Sequence, residues 1–299
     1  MLSRIPKLAD AYCILSYPGH LAPIYRLASH SDSGFISAGS DGFLVRWEYN
    51  YPDNGTALIR TASPIFAIES EGDSVYAGLF DGKLISNTGF ESMRSASIFG
   101  LELVDNRLYC VGKGGDFSVF DLSSNQILLQ KNLSLENLRC VKKHPKLPLI
   151  VVSGSDGKIR IFESEGMREI EVFESHKASV FALEFSKDGK TLYSAGREAG
   201  IKVFDFDSLN LLHDVPAHFF SINDLKLVYD EKYLASASMD KTIRIWRTED
   251  MKLIKVIDKA RNNGHSSSVN ALLWNEKSET LISAGDDKNI FEWKIEFYD

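Results

Sequence analysis

What the chain has little of sets the first limits. Its 299 residues include only three cysteines, Cys13, Cys110 and Cys140. They are odd in number, lie in apolar strand-like runs and lack metal-type spacing, so they read as buried, reduced thiols rather than a disulfide framework or zinc site. No apolar stretch reaches the roughly 18 residues of a membrane-spanning helix, and the N-terminal MLSRIPKLAD has no apolar core long enough for a secretory signal. A cytoplasmic protein with no membrane partner is therefore expected, and the sequons at Asn54 and Asn132 read as turns. Positive charge is also short: 34 Lys and Arg stand against 41 Asp and Glu, a net −7. Nothing global draws a phosphate backbone, and nucleic acid is disfavoured as a partner.

Helix-length patterning is missing as well. What is present is a repeat. A short apolar run is followed 22 to 24 residues later by a position, usually aromatic, that ends a second apolar run: Ile24 and Trp47, Ile65 and Asn87, Ile98 and Phe120, Leu138 and Phe162, Val180 and Phe204, Ile222 and Trp246, Val269 and Trp293. β-Branched and aromatic residues, with turn signals every 8 to 12 residues or so, favour strands throughout. In the fifth unit the expected strands are 180–185, 191–195 and 201–205, followed by a more polar fourth at 210–215. A period of about 40 residues built from four short strands predicts a β-propeller, because one such sheet cannot bury both faces without stacking on copies of itself.

The fold class expected is therefore all-β: a single domain over 1–299, a seven-bladed propeller of four-stranded antiparallel blades. The blades run approximately 18–60, 61–94, 95–134, 135–175, 176–217, 218–262 and 263–299 plus 10–17. The last unit runs out of sequence after its third strand. Residues 11–17 are expected to supply its outer strand by pairing with 293–297, which would remove two sheet edges. The second unit has a shortened outer strand near 90–94, and an insertion is expected at 259–263. Asp41-Gly42, Asp81-Gly82 and Asp156-Gly157, with Gly114-Gly115 in the third unit, suit tight hairpin turns.

These features resemble the WD40-repeat family, with two degenerate units. His20, Ser37, Asp41 and Trp47 carry the resemblance in unit one, His218, Ser236, Asp240 and Trp246 in unit six, and His265, Ser283, Asp287 and Trp293 in unit seven. The resemblance implies that each set forms a hydrogen-bonded staple tying the loop before the inner strand to the third strand. Unit five keeps Ser175-His176 and Ser194 but has Glu198 and Phe204. Unit four is read as keeping Ser153, Asp156 and Phe162 without the histidine. Units two and three depart most.

Candidate chemistry is sparse. Four of the seven histidines occupy the staple position, the turn acids lie about one blade apart, and no zinc-type cluster occurs. Gly112-Lys113-Gly114-Gly115 lacks the helix and spacing of a phosphate loop. No catalytic residue, cofactor or metal is expected, and no small-molecule substrate.

The resemblance implies that partners dock on the face formed by the loops entering the inner strands and by the tight turns. Three positions per blade point there, and they hold Tyr25, Phe66, Phe80, Phe99, Arg139, Phe181, Arg197 and Met239, with Asn223 and Asn270 at the corresponding places of units six and seven. Aromatics and arginines on one rim have the composition of an interaction hot spot. The expected role is a non-catalytic scaffold or adaptor for other proteins or peptides. A subunit of a nucleic-acid-associated complex and a propeller enzyme are the alternatives.

Overall fold

The computed structural model describes residues 8–31, 33–93 and 96–298. Within them, seven four-stranded antiparallel sheets stand around a central channel. In blade five the strands are Val180–Phe185, Thr191–Gly196, Gly200–Asp205 and Leu211–Pro216, ordered from the channel outward. Blade two is the smallest, its third and fourth strands being Lys83–Ser86 and Glu91–Met93. There Asn87 stands where other blades carry an aromatic ring; its amide closes the hairpin by donating to the Asp73 carbonyl and accepting from the Val75 N–H. The insertion after blade six forms one helical turn, Lys259–Asn262, capped by the Asp258 side chain.

The ring closes through the two ends of the chain. Leu8–Tyr17 is the outer strand of the last blade and pairs antiparallel with Ile290–Tyr298, Cys13 opposite Trp293 and Tyr17 opposite Ile290. The strand begins three residues earlier than the sequence suggests. At its end the Tyr17 hydroxyl donates to Glu292 Oε2 at 2.6 Å while Thr280 Oγ1 donates to Oε1 at 2.6 Å, so a buried carboxylate holds blade seven together. The Tyr17 ring packs edge-on against Phe35 and Trp47 of blade one.

The apolar core is a set of wedges. Among the described residues, one hydrophobic cluster lies between each pair of adjacent blades, the one between blades seven and one holding Tyr17, Ile24, Phe35, Trp47 and Ile282. Each blade buries its faces only against its neighbours, which is the physical reason for the repeat. The turn after each second strand needs a left-handed residue. Gly157 takes it at φ 76°, where an added Cβ would fall 2.2 Å from the His176 carbonyl oxygen. Ala199, Lys241 and Lys288 adopt the same region in blades five to seven, at about 1 kcal/mol each.

One irregularity recurs in every blade. The ladder between the first and second strands slips at the second residue of the inner strand: after Ile24, Ile65, Ile98, Leu138, Val180, Ile222 and Val269 one residue is left out of register. The skipped residues are Tyr25, Phe66, Phe99, Arg139, Phe181, Asn223 and Asn270. Such a bulge turns a side chain away from the alternation of a regular strand.

Candidate functional site

The seven bulges aim their side chains at one place. Tyr25, Phe66, Phe99, Arg139, Phe181, Asn223 and Asn270, with Arg26, line a cavity of about 260 Å³ at the channel mouth. The rings of Tyr25 and Phe66 lie 4.9 Å apart, and Phe99 meets Phe66 edge-on at 5.8 Å. The Arg139 guanidinium lies 5.0 Å from the Phe99 centroid and 5.6 Å from that of Phe181, so both ring faces hold it. Burial lowers the Arg139 pKa from its ordinary value, and Arg197 nearby adds to this while Glu136 opposes it. Asn223 donates to Ser268, Val269 and Asn270, and Asn270 donates to the Ile24 carbonyl and to Asp286. Those bonds stitch blades six, seven and one together at the mouth.

The other rim positions sit outside this ring. Phe80 is 54% exposed and rests edge-on against Phe66 at 5.6 Å; Met239 is 50% exposed, and Arg197 is exposed at the turn of blade five. Phe219 and Phe220 project from the loop entering blade six. In all seven blades the N–H of the residue before the turn acid or its replacement donates to the carbonyl preceding the inner strand, as Phe80 does to Pro64 and Arg197 to Ser179. The rim backbone is thereby fixed, and the side chains above it are the variable part.

Sequence reasoning missed two features. Arg26 also faces the channel, because the bulge places two successive residues there, and its guanidinium donates to the Tyr25 and Phe99 carbonyls across the mouth. Below it, Glu69, Lys142, Glu184 and Lys226 line the channel, and Glu102, at the equivalent position of blade three, is buried within reach of the Lys142 charge. Each lies four residues after the first core residue of its inner strand, a charge where a buried strand should be apolar, and that was the available signal. Lys226 pairs with Glu184 at 3.0 Å. Burial pushes the Glu69 and Glu102 carboxyls up from their ordinary values; it works to lower Lys142, but Glu102, Glu184 and Glu69 prevail and hold the ammonium charged.

The polar staples of blades one, six and seven lie away from the channel. In blade six, Trp246 Nε1 donates to Ser236 Oγ at 2.9 Å, Ser236 Oγ lies 2.7 Å from His218 Nε2, and His218 Nδ1 lies 2.9 Å from Asp240 Oδ2. The carboxylate can only accept, so Nδ1 carries the proton, Nε2 accepts from the serine hydroxyl, and the serine accepts from the indole. Trp47, Ser37, His20 and Asp41 repeat this in blade one, and Trp293, Ser283, His265 and Asp287 in blade seven. Burial keeps His218 below its ordinary pKa, hence neutral near pH 7. Blade five replaces the acid with Glu198, 2.8 Å from His176 Nδ1, and has Phe204 in place of the indole.

Two sequence readings are corrected. Ser153 is not the staple serine of blade four: Val152, opposite Arg160, occupies the register that Ser236, opposite Arg244, holds in blade six. Ser153 instead donates to the Val180 carbonyl of the next blade, while Asp156 is held by Arg160 and Ser134. Of the three thiols, Cys110 is buried and Cys140 half-buried, but Cys13 is exposed, because it lies on the outermost strand of its blade.

Two family models match the chain: WD domain, G-beta repeat over residues 11–48, and Cytochrome D1 heme domain over residues 146–299. No curated protein matches it. The second model also describes a propeller-type domain, so the match over residues 146–299 agrees with blades four to seven as an architecture. The residues there do not fit a haem. The channel wall of that stretch carries Phe181, Glu184, Asn223, Asp224, Lys226 and Asn270, none of them an axial ligand type such as His, Cys, Met or Tyr. His176, His218 and His265 have both ring nitrogens engaged in the staples. The cavity of about 480 Å³ at the opposite end of the channel is lined, from that stretch, by residues such as Glu184, Lys187, Lys226, Asp230 and Trp274, again none of an axial ligand type. Among the described residues no three or more His, Cys, Asp or Glu gather to hold a metal ion, and no helix is long and apolar enough to cross a membrane. The repeat match, the seven four-stranded blades and the N-terminal strand that closes them make this chain a member of the WD40-repeat β-propellers.

Proposed function

We propose that the protein is a non-catalytic scaffold that holds a partner protein or peptide on the channel-mouth face. The observation carrying this reading is that a bulge in every blade delivers one side chain to a single opening, four of them aromatic and one an arginine. Rigid rings and a planar guanidinium immobilised by their neighbours lose little freedom on binding, which suits them to carry affinity. Exposed Phe80, Met239, Phe219 and Phe220 extend an apolar border around the mouth. The net charge of −7 disfavours nucleic acid as the main partner.

The test is retention of partners from a lysate of the protein's own cells on the immobilised chain, compared with a variant carrying Tyr25→Ala, Phe66→Ala and Phe181→Ala. Loss of the retained partners with an unchanged melting curve is the expected result. Undiminished retention of every partner by the folded variant removes this face from consideration.

A further inference from the structure

Most of the polar side chains at the mouth are tied into the ring itself. Arg26 gives its two terminal nitrogens to the Tyr25 and Phe99 carbonyls, and the amides of Asn223 and Asn270 donate within the ring. The rim N–H groups before the turns are committed to backbone carbonyls in all seven blades. Arg139 is different. Its Nε donates to Ser155 Oγ at 2.8 Å, which fixes the plane of the guanidinium between Phe99 and Phe181, and among the described residues neither terminal nitrogen has a hydrogen bond or an ion pair. A charged fork with free N–H groups on both terminal nitrogens therefore faces an open cavity whose other walls are aromatic rings and polar groups tied across the mouth.

Four aromatic rings around an opening would by themselves suit a cation. Here the protein's own guanidinium occupies the faces of two of them and repels a second positive charge, with Glu136 and Arg197 nearby acting on it in opposite senses. Asp286, the acid of the neighbouring rim, is engaged by Asn270. The cavity, about 260 Å³, is large enough to take a single side chain reaching into the mouth.

Resting on the docking reading above, we propose that the mouth is a seat for the carboxylate of an aspartate or glutamate side chain on a peptide lying across this face, with Arg139 as its partner. The guanidinium fork matches a carboxylate with two parallel hydrogen bonds. Because no backbone nest is free at the rim, recognition is of a side chain and not of a chain terminus.

The test uses the full chain and three pools of random 12-residue peptides, acetylated and amidated, with the central residue fixed as Glu, Gln or Lys; a fourth pool repeats the Gln set with free C-termini. Binding is read by fluorescence anisotropy. The Glu pool is expected to bind roughly tenfold or more tightly than the Gln pool, with the Lys pool weakest and free C-termini making no difference. Arg139→Met should abolish the Glu-over-Gln preference, and Arg139→Lys, which keeps the charge but not the fork, should retain part of it. Equal binding of Glu and Gln pools, preference for Lys, preference for free C-termini, or no binding to any pool by the unmodified chain overturns the proposal without reference to a variant. Should the triple alanine variant lose its partners while Glu and Gln pools behave alike, the docking face stands and the carboxylate seat falls.

Discussion

Removing one hydroxyl, by Ser236→Ala, is the sharpest probe of how the blades are tied. Ser236 is fully buried and makes two bonds in the blade-six staple, accepting from Trp246 and donating to His218. Its loss leaves an indole N–H and an imidazole nitrogen without partners in a space closed to water. At about 1–3 kcal/mol for each orphaned group, the expected cost is about 3 kcal/mol. With an unfolding entropy near 0.6 kcal/mol per kelvin for a chain of this length, the melting temperature should fall by about 5 °C. Blade five supplies the internal control: Ser194 bonds His176, but Phe204 has no N–H to strand, so Ser194→Ala should cost about half as much. A double-mutant cycle completes the test. Trp246→Phe removes the donor in advance, and Ser236→Ala on that background should be cheaper by about 1–2 kcal/mol, read by thermal or denaturant unfolding. Equal costs for Ser236→Ala and Ser194→Ala, or strict additivity with Trp246→Phe, would refute the staple as the unit of stability.

Three further outcomes follow from the same geometry. Glu69, whose carboxyl is pushed up by burial and by Glu102, has a folded pKa above its unfolded value, so its ionised form weakens the fold above pH 4.5, most fully above the folded pKa; Glu69→Gln should raise the melting temperature at pH 8.5, and the gain should shrink toward pH 5. His218 and Asp240 are both held below their ordinary values, His218 by burial and Asp240 by bonds from His218 and Thr242 that overcome burial; each is then a contribution present above the unfolded pKa, so the melting-temperature gap between the chain and its His218→Gln variant should narrow as pH falls below 6.5, and the gap to Asp240→Asn below 3.8, and a His218→Gln gap that stays constant from pH 7 to 5 would contradict this. Deleting residues 1–17 strips the outer strand and Tyr17 from the last blade and should give an insoluble or unfolded chain, a cooperatively melting monodisperse product being the contrary result.

The fold was legible because the physics that builds it is local and repeated. Alternating apolar runs, turn dipeptides and recurring aromatic positions define each blade, and the spare N-terminal strand could be assigned from spacing alone. The face was legible in part. Tyr25, Phe66, Phe99, Arg139 and Phe181 could be placed on one rim by counting from the inner strands, yet alternation alone does not send Arg26 to the same channel. A bulge in every inner strand does, and a bulge has no residue signature of its own here, since the skipped residues range from Phe to Asn. The charged belt of Glu69, Glu102, Lys142, Glu184 and Lys226 escaped for a different reason. In sequence each is one charge in an apolar run, and only closure of the ring brings Glu69, Lys142, Glu184 and Lys226 to one channel wall with Glu102 buried close to Lys142. Ser153 was misplaced by one residue because a serine beside a valine looks the same from either register; the ladder pairing with Ile159 decides it.

The central claim is that residues from all seven blades form one binding surface at the channel mouth. Its most direct measurement is an alanine scan of partner affinity, by calorimetry on the folded chain, comparing Phe66, Phe99, Arg139 and Phe181 with Lys187, Asn275 and Glu276 at the opposite end of the channel. Losses of roughly tenfold or more confined to the first set are expected. Losses confined to the second set, or spread equally over both, would contradict the account.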